Sequence, residues 1–84
     1  MRQTLQDAVT DPAVILAPYK GREFRFRYTN WRGEVADRAA IPVRVYHGAT
    51  EYHPEPQWLM EAWDAEKQAM RVFAMRDMIP LPAP

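Results

Sequence analysis

Cysteine is absent from the 84 residues. That excludes disulfide staples, thiolate metal sites and a cysteine nucleophile, and it fits a reducing compartment. Glycine is scarce, at Gly21, Gly33 and Gly48 only, so there is no glycine-rich loop to cradle a phosphate. No apolar run approaches the ~18–20 residues of a membrane-spanning helix. Met1 to Asp7 carries no signal-peptide core. A cytoplasmic protein with no membrane partner is therefore expected. A surplus of one charge is also lacking, with eleven basic against eleven acidic residues. A dedicated nucleic-acid binder usually has a pI above about 9, so a compact effector pocket suits this balance better than a long nucleic-acid track.

Chemistry with a recognisable spacing is also missing. No serine, histidine and aspartate are spaced as a triad. His47, Glu51, His53 and Glu55 are of zinc-binding type, but they sit in one loop with no helical spacing to aim them. No catalytic residue, metal or cofactor is expected, and the chain reads as a non-enzyme.

What is present is a segregated charge pattern. From Lys20 to Arg44 seven basic residues face Glu23, Glu34 and Asp37, whereas Glu51 to Glu66 holds five acids and no base. Nine of the eleven basic residues are arginine. Arginine presents a planar fork that grips phosphate or carboxylate at two points and stacks on bases. Solvated faces, or ion pairs between the two blocks, would also account for this pattern.

Along the chain, residues 3–10 suggest a short N-terminal helix that ends at Asp11-Pro12. Residues 13–17 are an apolar strip, read as a connector, a short strand or a docking strip. Tyr19-Lys20-Gly21 reads as a turn. Residues 22–29 are the clearest strand: Phe24, Phe26 and Tyr28 alternate with Glu23, Arg25 and Arg27. Asn30-Trp31-Arg32-Gly33 is a hairpin turn, in which Trp31 either folds back on the barrel, the expected reading, or is presented to a partner. Residues 34–46 form a second extended segment. Val35, Ala39, Ile41, Val43 and Val45 are assigned to one face, and Arg38 and Arg44 to the other. Pro42 marks an edge, bend or bulge. Residues 47–56 read as a loop.

Pro56 to Met78 is the spine of the chain and is locally ambiguous. Its Met, Glu, Ala, Lys, Gln and Leu content favours a helix. Read as a hairpin, Trp58, Met60 and Ala62 alternate with Leu59, Glu61 and Trp63. Asp64 to Gln68 would then be a turn without glycine. The tail, residues 79–84, is proline-rich and expected to be extended and frayed.

Several of these residues fall in a known order: Tyr28, a turn ending in Gly33, Arg38 before Pro42, Gln57-Trp58-Leu59, Asp64-x-Glu66, Arg71-x-Phe73 and Arg76-x-Met78. This pattern resembles the WYL domain, found mainly in bacterial transcriptional regulators and regulators of phage defence. The resemblance covers about residues 22–78. In the signature tripeptide only Leu59 matches at its own position, with Trp58 in place of a tyrosine, and the loop before it is longer than the family pattern. The winged helix-turn-helix that usually precedes the domain has no room in this chain, so the family's reading of DNA operators does not carry over.

The resemblance implies a mainly β fold: a small Sm-like or SH3-like β-barrel of about five strands over residues 22–78. Residues 1–21 would be a helix and connector, and 79–84 a tail. It also turns residues 57–75 into a hairpin. It implies a stand-alone sensing module for single-stranded nucleic acid or a nucleotide-like effector. Arg38 and Arg71 match the family's arginines. Arg25 and Arg44 are neighbouring candidates, and Tyr28 and Trp58 are the aromatic ones. Core packing for Tyr28 and Trp58, and a salt bridge from Arg71 to Glu61 or Asp64, are the structural alternatives. The competing functional expectation is a protein-interaction module that forms homo-oligomers or docks on a larger regulatory protein.

Overall fold

Two alternating strand patterns and one bulge generate the architecture. The computed structural model describes residues 17–19 and 21–82. The expected N-terminal helix, and all but Ala17 of the apolar strip, lie outside those residues. Ala17–Tyr19 is a single 3₁₀ turn. Five strands follow: β1 (Phe24–Thr29), β2 (Val35–Gly48), β3 (Gln57–Asp64), β4 (Ala69–Ala74) and β5 (Met78–Pro80). A second 3₁₀ turn, Met75–Asp77, joins β4 to β5. The strands form one antiparallel sheet in the order β4-β3-β2-β1-β5.

The fold is thus mainly β with five strands, as expected. No strand pairing joins β4 to β5, so the ladder itself does not close. Side chains carry the curl instead. Phe24, Phe26 and Tyr28 of β1, Ala40 of β2, Met60 and Ala62 of β3, and Phe73 of β4 bury together. Met75 and Met78 complete the cluster from the second 3₁₀ turn and β5. The Phe73 ring stands edge-on to Phe26 and to Tyr28, each with centroids 5.1 Å apart. Such pairs add about 0.5–1.5 kcal/mol beyond the area they bury. The Tyr28 hydroxyl accepts the Ala74 backbone N–H at 2.9 Å in the buried interior. This bond ties β1 to the end of β4 across the sheet.

β2 departs from its expected phase. Residues 35–40 pair with β1 and residues 41–48 with β3, and the register shifts between Pro42 and Arg44. Val43 is the extra residue of a bulge and is 46% exposed. Proline has no N–H to give the ladder, which makes this an economical place to break it. The bulge reverses the alternation. Ala40 and Pro42 are buried before it, and Val45 packs on the core after it. The face assigned to Val35 and Val43 is therefore the outer one, and Arg38 belongs to the inner one. Cross-strand partners share a face, and Arg38 lies opposite the buried Phe26.

The hairpin that the resemblance implied over residues 57–75 is present as β3 and β4, in place of the helix that local propensity favours. Gln68 takes the left-handed position at φ 54° that glycine would usually fill, and the Asp64 carboxylate holds the turn by accepting the Lys67 N–H at 3.1 Å. One further expectation changes in part: the tail is extended, but its first part is not frayed. Ile79 and Pro80 pair with β1, and the Leu81 N–H donates to the Arg25 carbonyl at 3.0 Å. Proline is tolerated there because β5 is an edge strand.

Replacing Tyr28 by phenylalanine leaves a buried Ala74 N–H without an acceptor. A loss of about 1–3 kcal/mol is expected, read as a lower urea midpoint with an unchanged slope. A shift of only a few tenths would mean that this bond does not hold β1 against β4.

Candidate functional site

Arg38, Arg71 and Tyr28 come from three different strands and meet at one end of the concave face. Strand register explains this. Arg38 lies opposite Phe26, Arg71 opposite Ala62, and Phe73 opposite Met60, so both arginines project from the side of the sheet that carries the core. Here the apolar filling stops and a cleft of about 540 Å³ opens. Its floor includes Tyr28, Arg38, Arg71 and Phe73, and its rim includes Trp31 and Tyr52.

The two arginines differ. Arg38 is anchored: its Nη2 donates to the Asp64 Oδ2 at 2.9 Å, its guanidinium carbon lies 5.8 Å from the Phe73 ring centre, and its side chain is only 25% exposed. Arg71 is exposed and has no carboxylate within ion-pair distance among the described residues. Its two anticipated partners are engaged elsewhere, Glu61 with Arg44 at 3.1 Å and Asp64 with Arg38.

Asp64 is almost fully buried at the end of β3. Burial pushes its carboxyl upward. The N–H of Lys67, the hydrogen bond and charge of Arg38, and the N–H of Glu66 outweigh that, and the carboxyl is held below its ordinary range. Burial raises the Tyr28 phenol, and the Ala74 N–H opposes the rise. Asp77 raises it further, while the charges of Arg71 and Arg38 lower it.

Trp31 was expected to fold back, and it does not: it is 78% exposed at the tip of the β1–β2 turn. The turn explains its position. The Asn30 Oδ1 accepts the N–H groups of Arg32 and Glu34, both at 2.9 Å, and Gly33 supplies the left-handed φ of 80°. These bonds satisfy the turn without burying the indole. The Arg32 guanidinium lies 4.9 Å from the indole ring centre. Across the cleft, the loop before β3 is pinched by reciprocal backbone bonds between Thr50 and His53 of 2.8 and 3.1 Å. This pinch presents Tyr52, which is 74% exposed. Asn30 and Tyr52 were not among the sequence candidates, and His53 was weighed only as a zinc-type loop residue. The only signal for them was the extra length of that loop and the odd placement of an indole in a turn.

The other candidates lie apart from the cleft. Arg25 sits on β1 opposite Ala39. Arg44 pairs with Glu61 and lies over the Tyr46 ring at 4.3 Å. Trp58 packs against the core and edge-on to His47 at 5.4 Å. Among the described residues no group of acids and histidines is arranged to hold a metal, and no helix is long and apolar enough to cross a membrane. No protein-family model matches the chain, and searches of curated proteins and of solved structures find no match to it. The likeness to WYL domains therefore rests on the residue pattern alone.

Changing Asp64 to asparagine removes the charge that anchors Arg38 and is expected to cost about 1–3 kcal/mol. The pH dependence has a definite sign. The folded carboxyl titrates below its unfolded value of about 3.9, so its contribution is full above that pH and is lost as the pH falls through the lower folded value. Stability followed by denaturant melts below about pH 4 should fall less steeply in Asp64→Asn than in the wild type.

Proposed function

We propose that the chain is a WYL-type sensing module that binds single-stranded nucleic acid or a nucleotide-like effector in the cleft between β1, β2 and β4. One observation carries this reading: Arg38 and Arg71, the two arginines singled out by the resemblance, line the same cleft as Tyr28 and an exposed Trp31. Ligands of this class require phosphate forks beside a flat apolar platform. Arg71 supplies the free fork. Arg38 supplies a fixed one, oriented by Asp64. Trp31 and Tyr52 supply platforms. Burying an exposed indole under a base replaces its contact with water, which helps stacking against a base to contribute about 1–3 kcal/mol per base. On this reading the curled sheet acts as the small barrel of that family, without catalysis, in a cytoplasmic regulatory role.

A second reading, a docking or oligomerisation module, draws on the open edge of β4 and on exposed Val35, Val43 and Met70. An unpaired strand edge offers a row of backbone donors and acceptors to another chain.

The experiment is a titration with labelled single-stranded oligonucleotides at low and moderate salt. Affinity should fall with salt. Arg71→Ala should weaken binding about tenfold and flatten the salt slope, and Trp31→Ala should weaken it by roughly five- to a hundredfold. Both side chains are exposed, so neither change should move the melting transition. No binding at either salt would overturn the proposal in favour of the docking reading, which predicts a mass above the monomer in light scattering.

A further inference from the structure

The cleft continues into a second lobe of about 300 Å³. Tyr28, Trp31, Tyr52 and His53 line both lobes, so the lobes share an aromatic waist. Their ends are chemically opposite. Among the described residues, the charged side chains that line the first lobe are Arg38 and Arg71. The second is lined by Glu55, Asp77, Gln57 and Arg76. Arg76 lies 3.7 Å from Glu55 and offsets its charge. Asp77 has no cation within ion-pair distance among the described residues. Gln57 is only 5% exposed. Its Nε2 donates to the Glu55 carbonyl at 3.1 Å, whereas its Oε1 is buried with no donor among the described residues. A buried acceptor without a donor is uncommon in a folded protein and calls for an explanation.

A ligand that spans the cleft must therefore be anionic at one end, flat in the middle and rich in hydrogen-bond donors at the other end. Resting on the nucleotide reading above, we propose that the second lobe is a base-reading subsite, in which Gln57 and Asp77 accept hydrogen bonds from the exocyclic amino group of a base stacked at the Trp31–Tyr52 waist. A base that carries a carbonyl oxygen at that position presents an acceptor to acceptors and leaves the Gln57 Oε1 unpaired. Sites that require a hydrogen bond reject ligands lacking it far more strongly than apolar pockets reject a missing methylene. Cytosine and uracil differ in this way at C4, amino against oxo. The adjacent N3, an acceptor in cytosine, is an N–H donor in uracil, so the comparison reads the exocyclic group only where that N–H points away from Gln57 and Asp77.

The test uses short labelled oligo-dC and oligo-dU of equal length on the wild-type protein and on Gln57→Met, at neutral pH. The expected result is oligo-dC binding about tenfold or more tightly than oligo-dU. In Gln57→Met, which removes the unpaired acceptor at similar volume, the oligo-dC affinity should fall to that of oligo-dU while the melting transition is kept. Where Gln57→Met does not fold, the wild-type ratio decides by itself. Equal wild-type affinities overturn the subsite. If that equal binding is weakened by salt and by Arg71→Ala, the nucleotide reading stands without it. A dC preference that persists unchanged in folded Gln57→Met also overturns the assignment. Binding of neither oligonucleotide overturns both.

Discussion

The curl of the sheet depends on one contact across its concave side. Phe73 sits edge-on between Phe26 and Tyr28, and the Tyr28 hydroxyl accepts the Ala74 N–H. β1 and β4 are not neighbours in the ladder, so backbone pairing alone would let them splay apart. The rings bring them together by burying apolar area, and the hydroxyl fixes the register by meeting a backbone donor that would otherwise be orphaned. The cleft is a consequence. It begins where this aromatic filling ends, so Tyr28 belongs both to the core and to the floor of the site.

Asp64 plays a similar double part at the far end of β3. Its two oxygens divide the work: Oδ1 accepts the Lys67 N–H and shapes a turn that has no glycine, and Oδ2 holds Arg38. A buried carboxylate is costly unless it is paired and hydrogen-bonded, and here every contact compensates that cost. Arg38 is thereby kept in one orientation, with little side-chain entropy left to lose when a ligand arrives. Arg71 keeps its freedom and its charge. A fixed fork beside a free one can accept anions of somewhat different shape, which suits a sensor better than two rigid partners would.

Much of the fold was legible because it is written in period two. The aromatic alternation of residues 24–28 and the inward residues Met60 and Ala62 follow the pleat directly. What was illegible depended on single residues that break a period or on partners far away in sequence. Val43 shifts the phase of β2, and no local pattern says on which side of Pro42 the extra residue falls. Arg38 was assigned outward for that reason. The β3–β4 turn looked wrong without glycine, since neither Gln68 in the left-handed region nor a buried aspartate as its brace is a propensity signal. Pro80 obscured β5, because an edge strand tolerates a missing donor. Of the residues that line the cleft, Arg38, Arg71 and Tyr28 were singled out by pattern. Trp31 was misassigned because burial is the default for an indole, whereas Asn30 satisfies the turn from within and leaves the ring outside.

A chain of zero net charge can still present a strong local field. The relevant quantity is how far each charge is neutralised by its neighbours. Arg27 lies 2.8 Å from Asp37, Arg44 3.1 Å from Glu61, and Arg32 3.9 Å from Glu34. These pairs are largely exposed, contribute little to stability, and cancel at distances beyond a Debye length of about 8–10 Å. Within the cleft the cancellation is incomplete. Asp64 neutralises Arg38, whereas Arg71 and Asp77 have no oppositely charged side chain within ion-pair distance among the described residues. A long polyanion would gain little from such a protein at a distance, since steering requires net charge over a wide surface. A short segment that enters the cleft meets separated charges in a partly desolvated space, where each interaction is stronger than in water. On the proposed reading, such a charge pattern would favour ligands that fit inside the cleft, with shape and hydrogen bonding, more than total charge, as the basis of discrimination.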